Sequence, residues 1–143
     1  MRLWQGTDAQ FLICGRDSGD RLGLVQLHDY MHRDGTAQLS AFVDPSVEGA
    51  GWPFEGIVMF INYCFEAWPL RKLYLESPAP VYERYNSGLD QFFTIEGRLI
   101  EHEFFGGAFV DRVISAVHRS IWIQFRPLIQ RFVNPSSAGS GGL

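Results

Sequence analysis

This chain has little that would supply a covalent or metal framework. It carries two cysteines, Cys14 and Cys64, far apart in apolar runs and with no C-x-x-C pair. Both read as reduced core residues of an intracellular, cytoplasmic protein rather than a disulfide pair. The four histidines show no metal-ligand spacing, so no metal is expected. Basic charge is scarce too: 12 Lys and Arg face 16 Asp and Glu, for a net charge of −4. With no basic stripe, a nucleic-acid partner is not expected. The longest apolar stretch, residues 57–68, is broken by Asn62 and Glu66, and is too short and polar to span a bilayer. The first residues show no charged-then-apolar signal segment. Neither a membrane nor a secretory role is expected.

What is present is apolar and aromatic. Nearly half of the 143 residues are hydrophobic, 12 of them Phe, enough for one domain with its own core. Residues 10–16 (QFLICGR) and 22–30 read as strands joined through the turn cluster at 17–20. Residues 36–43 (TAQLSAFV) form a third strand that stops at Asp44-Pro45. A glycine-bearing loop at 46–53 leads into a helix over 54–68 with a broad apolar face, ended by Pro69. A strand at 72–76 (KLYLE), a loop at 77–80 (SPAP) and a short helix at 81–89 follow. Strand material at 92–95 and then 97–105, the Gly106-Gly107 turn and a strand at 108–118 close a second hairpin. This order predicts an α/β fold, a mixed sheet with one or two crossover helices. The domain is expected to cover 9–122, with a short leader at 1–8. Residues 123–143 read as a C-terminal extension with a Ser/Gly-rich, mobile tail.

The segment Pro45 to Gly51 follows a strand and opens a helix, an arrangement that suits an anion: helix-start N–H groups point outward and glycine admits close approach. It is not a P-loop, since no Gly-Lys-Ser/Thr follows, and it lacks the third glycine of a dinucleotide fingerprint. A plain tight turn explains the same residues.

The surrounding residues resemble the GNAT N-acetyltransferase superfamily. In that family a strand ends near a proline, and Arg/Gln-x-x-Gly-x-Gly/Ala leads into a helix. Here Ser46-Val47-Glu48-Gly49-Ala50-Gly51 falls on that loop, and Glu55-Gly56 on its acidic-small pair. Residues 96–103 (EGRLIEHE), Gly106-Gly107, Phe109-Val110-Asp111 and His118-Arg119-Ser120-Ile121-Trp122 resemble the family's closing hairpin, and Leu22-Gly23 its early small-residue step. The resemblance spans about residues 10–122. Ser46 replaces the Arg/Gln, Glu48 stands where a basic residue is common, and Gln91-Phe92 replaces Gly-Phe. The family's leading strand and two helices have no counterpart in residues 1–8.

The resemblance implies an acetyl (acyl) group passing from acetyl-CoA to a primary amine of a small molecule or protein, in a GNAT-like acyl-CoA N-acyltransferase fold. It also implies a splay between the strand ending at Val43 and the strand at 73–76. Backbone groups of Phe42 and Val43 there would hold the pantetheine arm. Glu48, Gly49, Ala50, Gly51 and Trp52 would hold the diphosphate. Glu76 is the first candidate base, and His28 with Asp29 the second. Tyr82 and Tyr85 are candidates to protonate the departing thiolate. Asp111 and Trp122 read as a hairpin hydrogen bond and a core anchor. The alternative is a non-catalytic GNAT-fold subunit that binds acyl-CoA or serves as an interaction module. The partners expected are acyl-CoA, an amine acceptor, and a second copy (a dimer) or a partner subunit.

Overall fold

The computed structural model describes residues 7–44 and 52–133, without the side chains of residues 52–54, 85–89, 132 and 133. The elements in chain order are β1 (Thr7–Cys14), β2 (Arg21–Met31), β3 (Thr36–Val43), α1 (Trp52–Ala67), β4 (Lys72–Pro78), α2 (Ala79–Leu89), β5 (Phe93–Phe105), β6 (Ala108–His118) and α3 (Arg119–Val133). The strands form one six-stranded sheet ordered β1-β2-β3-β4-β6-β5. All pairs are antiparallel except β3 with β4. That parallel pair needs a crossover, and α1 supplies it. The α/β mixed sheet read from the sequence is thus the observed architecture.

The period-2 pattern puts Val25 and Leu27 of β2, Ala37 and Leu39 of β3, Leu73 of β4 and Val117 of β6 into one core, all at most 2 % exposed. Helix α1 covers them with Ile57, Val58, Ile61, Cys64 and Phe65, spaced as one helical face. Burial pushes the Cys64 thiol up to about 12, so it is an inert packing group. Helix α3 packs against the same core with Trp122 and Ile129, one heptad apart. Trp122 is fully buried between Phe65 and Phe92, and its indole N–H donates to Asn62 Oδ1 at 3.2 Å. One turn earlier, Arg119 donates from Nε to Leu70 O and from Nη2 to Trp68 O, which ties down the α1–β4 connection.

Several local readings need correction. Cys14 is exposed, not core: on edge strand β1, Ile13 faces inward and its neighbour faces out. Ser77 and Pro78 belong to β4 rather than a loop, paired to Val113 and Arg112. A proline at the last rung forfeits at most one ladder donor. Residues 93–105 are one strand, not two pieces, with register shifts between Ile95 and Gly97 and between Leu99 and Glu103, where Glu101 has φ +45°. Residues 123–133 continue α3 as helix despite Pro127.

The Gly106-Gly107 turn has φ of +59° and +87°, the pair of positive angles a type I′ hairpin requires. Asp111 secures the bulge below it. Its carboxylate accepts the Glu101 N–H at 2.9 Å and an Arg98 Nη1 donor at 3.1 Å. The Glu101 N–H first, and Arg98 second, hold the Asp111 carboxyl below the usual range. A depressed folded value means stabilisation present above the unfolded pKa of about 3.9 and lost as pH falls through the folded one. The thermal stability difference between wild type and Asp111→Asn should therefore shrink steadily on acidification below pH of about 4. A difference independent of pH would show that the charge has no part in it.

Candidate functional site

The β3–β4 ladder runs from Thr36↔Lys72 to Leu39↔Leu75 and stops there. Both strands continue, but each follows its other neighbour. β3 stays on β2 as far as Gly23↔Val43, and β4 stays on β6 as far as Pro78↔Arg112. At Gly23 a Cβ would lie 2.7 Å from Phe42 O, so glycine is what lets β2 stay on β3 as the latter diverges. The result is a wedge-shaped opening in mid-sheet. Backbone N–H and C=O groups of Ser40 to Val43 have no strand partner on the β4 side, and such groups bond to whatever enters.

A cleft of about 450 Å³ fills this wedge. Ser40, Ala41, Phe42 and Val43 line one wall and Glu76, Ser77 and Pro78 the other, with Ile57 of α1, Val81 and Tyr82 of α2, and Phe105 and Arg112 of the closing hairpin. The lining is mostly apolar with a few convergent polar groups, as small-molecule sites are. A larger groove of about 560 Å³ lies between β1 and α1, against Phe11, Met59 and Tyr63. Its strand wall is β1, the edge of the sheet, and not a parted pair of strands, so size alone does not select it.

Glu76 is the first β4 residue beyond the last rung, and Ser40 is its counterpart on β3. Arg112 approaches Glu76 at 4.0 Å through Nη2 while donating from Nη1 to Glu103 Oε1 at 3.0 Å. Tyr82 is 6 % exposed and packs with Ala79 and Val113. Burial first, and the Asp90 charge second, raise its phenol above the usual range. It is a protonated O–H at neutral pH, able to donate to an anion in the cleft.

The residues singled out from the sequence fall into three groups. Phe42, Val43, Glu76 and Tyr82 line one cleft. His28 stands one strand away and reaches it through Ser40 Oγ, 2.8 Å from Nε2. Glu48, Gly49, Ala50 and Gly51 lie outside the described residues, as do the side chains of Trp52 and Tyr85. Sequence reasoning missed Arg112, Ser40 and Phe105. Ser40, the hydroxyl between Leu39 and Ala41, was the one detectable signal. Arg112 reaches the cleft only through the β4–β6 register.

A mixed sheet with one parallel pair that splays over a central cleft, crossed by α1 and closed by the β5–β6 hairpin, defines the GNAT fold. Solved structures of other proteins share it. A point mutant of the spermidine N-acetyltransferase SpeG from Vibrio cholerae superposes with a TM-score of 0.70 at 21% identity, over 82% of this chain and 69% of that one. The spermidine/spermine N-acetyltransferase SpeG from the same organism, in complex with manganese ions, gives 0.70 at 22% identity, over 80% and 67%. A chimera of the Vibrio cholerae enzyme with hSSAT gives 0.69 at 22%, over 80% and 68%. No family model and no curated protein sequence matches the chain. At this identity the likeness establishes the fold.

Proposed function

We propose that this chain is an N-acyltransferase that moves an acetyl (acyl) group from acetyl-CoA to a primary amine. The observation that carries the reading is the splayed β3–β4 pair with Glu76 and Tyr82 on the walls of one cleft. The thioester arm lies along Ser40 to Val43, and their free backbone donors take the charge that develops on the carbonyl oxygen. Glu76 accepts the proton of the acceptor ammonium. The amine nitrogen attacks the carbonyl carbon, the C–S bond breaks, Tyr82 protonates the leaving thiolate, and the second proton shed by the acylated nitrogen restores the Tyr82 phenol. The spermidine acetyltransferase activity of the structural neighbours supports an amine acceptor. The Gly49-Ala50-Gly51 sequence joins β3 to α1 and is the proposed diphosphate loop.

The Arg112 contact with Glu76 supports a second reading, a non-catalytic acyl-CoA-binding subunit, because a guanidinium 4.0 Å from the carboxylate competes with an acceptor ammonium for it. Calorimetric titration with acetyl-CoA, followed by thiol release with a panel of amines, separates the two. The enzyme reading expects micromolar binding, abolished in Gly51→Glu, and amine-dependent release. Binding without release in any amine establishes the second reading. No binding by the wild type sinks both.

A further inference from the structure

Three polar side chains form a continuous chain that ends in the cleft. Asp29 Oδ2 lies 2.9 Å from His28 Nδ1, and His28 Nε2 lies 2.8 Å from Ser40 Oγ. The Asp29 carboxylate accepts from Nδ1–H, which places an imidazole proton on Nδ1. Nε2 is then the acceptor and the Ser40 hydroxyl donates to it. A hydroxyl bonded to a base that a third group orients is the arrangement that activates a nucleophile.

Strand geometry alone would not make this contact. Neighbouring residues of a strand point to opposite faces, which would part His28 from Asp29. Here Asp29 has φ +54°, and the β2–β3 ladder is interrupted between His28 and Met31. The left-handed residue turns its carboxylate onto the imidazole before it. Aspartate tolerates that region better than most residues, yet the conformation stores strain, and strain of this kind gathers at functional sites. At the other end, Ser40 lines the cleft directly past the last β3–β4 rung.

We propose that Ser40 is a second acyl acceptor: when no amine occupies the cleft, the protein acylates its own Ser40 and slowly hydrolyses the ester. This rests on the acyl-CoA reading of the cleft. Ser40 Oγ attacks the thioester carbonyl carbon while its proton passes to His28 Nε2. The C–S bond breaks, and the CoA thiolate takes that proton. Water then attacks the Ser40 ester, His28 accepts a proton from it and returns one to Ser40 Oγ, and the carboxylic acid leaves. The net change is acyl-CoA plus water to a carboxylic acid plus free CoA. Asp29 is a positioning residue, and His28 and Ser40 are the reacting pair.

The test uses the full chain and acetyl-CoA with no amine. Intact-mass spectrometry should show a single acetyl adduct, mapped to Ser40 and cleaved by hydroxylamine as an ester. Ser40→Ala should lose the adduct and slow amine-independent thiol release by about 100-fold, with acetyl-CoA binding retained. His28→Asn keeps the nucleophile without its base and should slow release about as much. The double variant should be no slower than Ser40→Ala alone, since both residues serve one step. Release at the wild-type rate in Ser40→Ala, or an adduct on another residue, overturns the proposal. A wild type that acetylates amines but shows neither adduct nor amine-independent release overturns it alone. A wild type that binds no acetyl-CoA overturns it together with the reading of the cleft.

Discussion

Glu76→Gln should lower kcat for amine acetylation by about 100- to 10,000-fold, the range removed with a positioned base. The amide keeps the shape of the side chain and a hydrogen-bonding oxygen for Arg112, but it takes no proton at neutral pH. Acetyl-CoA affinity should change little, because the proposed binding groups are on β3 and in the 46–52 segment. Steady-state thiol release against acceptor concentration reads the effect. A kcat within about threefold of wild type would remove Glu76 as base and leave it a partner of Arg112. The contact makes the outcome informative: the guanidinium reaches Glu76 at 4.0 Å but Glu103 at 3.0 Å, so its shorter bond is to the other carboxylate.

The largest loss of stability is expected at Trp122. Trp122→Ala removes a fully buried indole from between Phe65 and Phe92 and leaves Asn62 Oδ1 without its donor. Truncating a buried aromatic costs about 3–5 kcal/mol. Domains of this size hold about 5–15 kcal/mol in total, so the variant should be close to unfolding at room temperature. Urea unfolding should show a much lower midpoint with an unchanged slope. Trp122→Phe separates the two causes, since it keeps most of the ring volume but loses the N–H. An alanine variant within about 1 kcal/mol of wild type would show that α3 contributes little to the core.

The same residues show how far the sequence reached. Trp122 was read as a core anchor and Asp111 as a hairpin hydrogen bond from their places in the closing-hairpin resemblance, and the structure puts them in those positions. Gly106-Gly107 was legible because two positive φ angles in a two-residue turn leave few other residue choices. The splay was read from the family resemblance, and the proline after β3 by itself said only that this strand should stop or splay there. Cys14 was misread because alternation along an edge strand does not say which parity faces the core. Tyr82 was placed on its helix, but its burial depends on Val113, two elements later in the chain.

By itself, the sequence determined the order and type of the elements and the turn between β5 and β6. Those features depend on local propensity, on periodicity, and on glycine and proline, all of which act within a few residues. Tertiary structure alone decided which polar groups meet. Arg112 stands beside Glu76 because Pro78 pairs with Arg112 across the β4–β6 ladder. Asp29 touches His28 because one left-handed residue breaks the alternation of β2. Ser40 is their link to the cleft because the β3–β4 ladder ends one residue before it. Register and a single strained φ are set by the packing of the whole sheet, and no window of sequence contains that information.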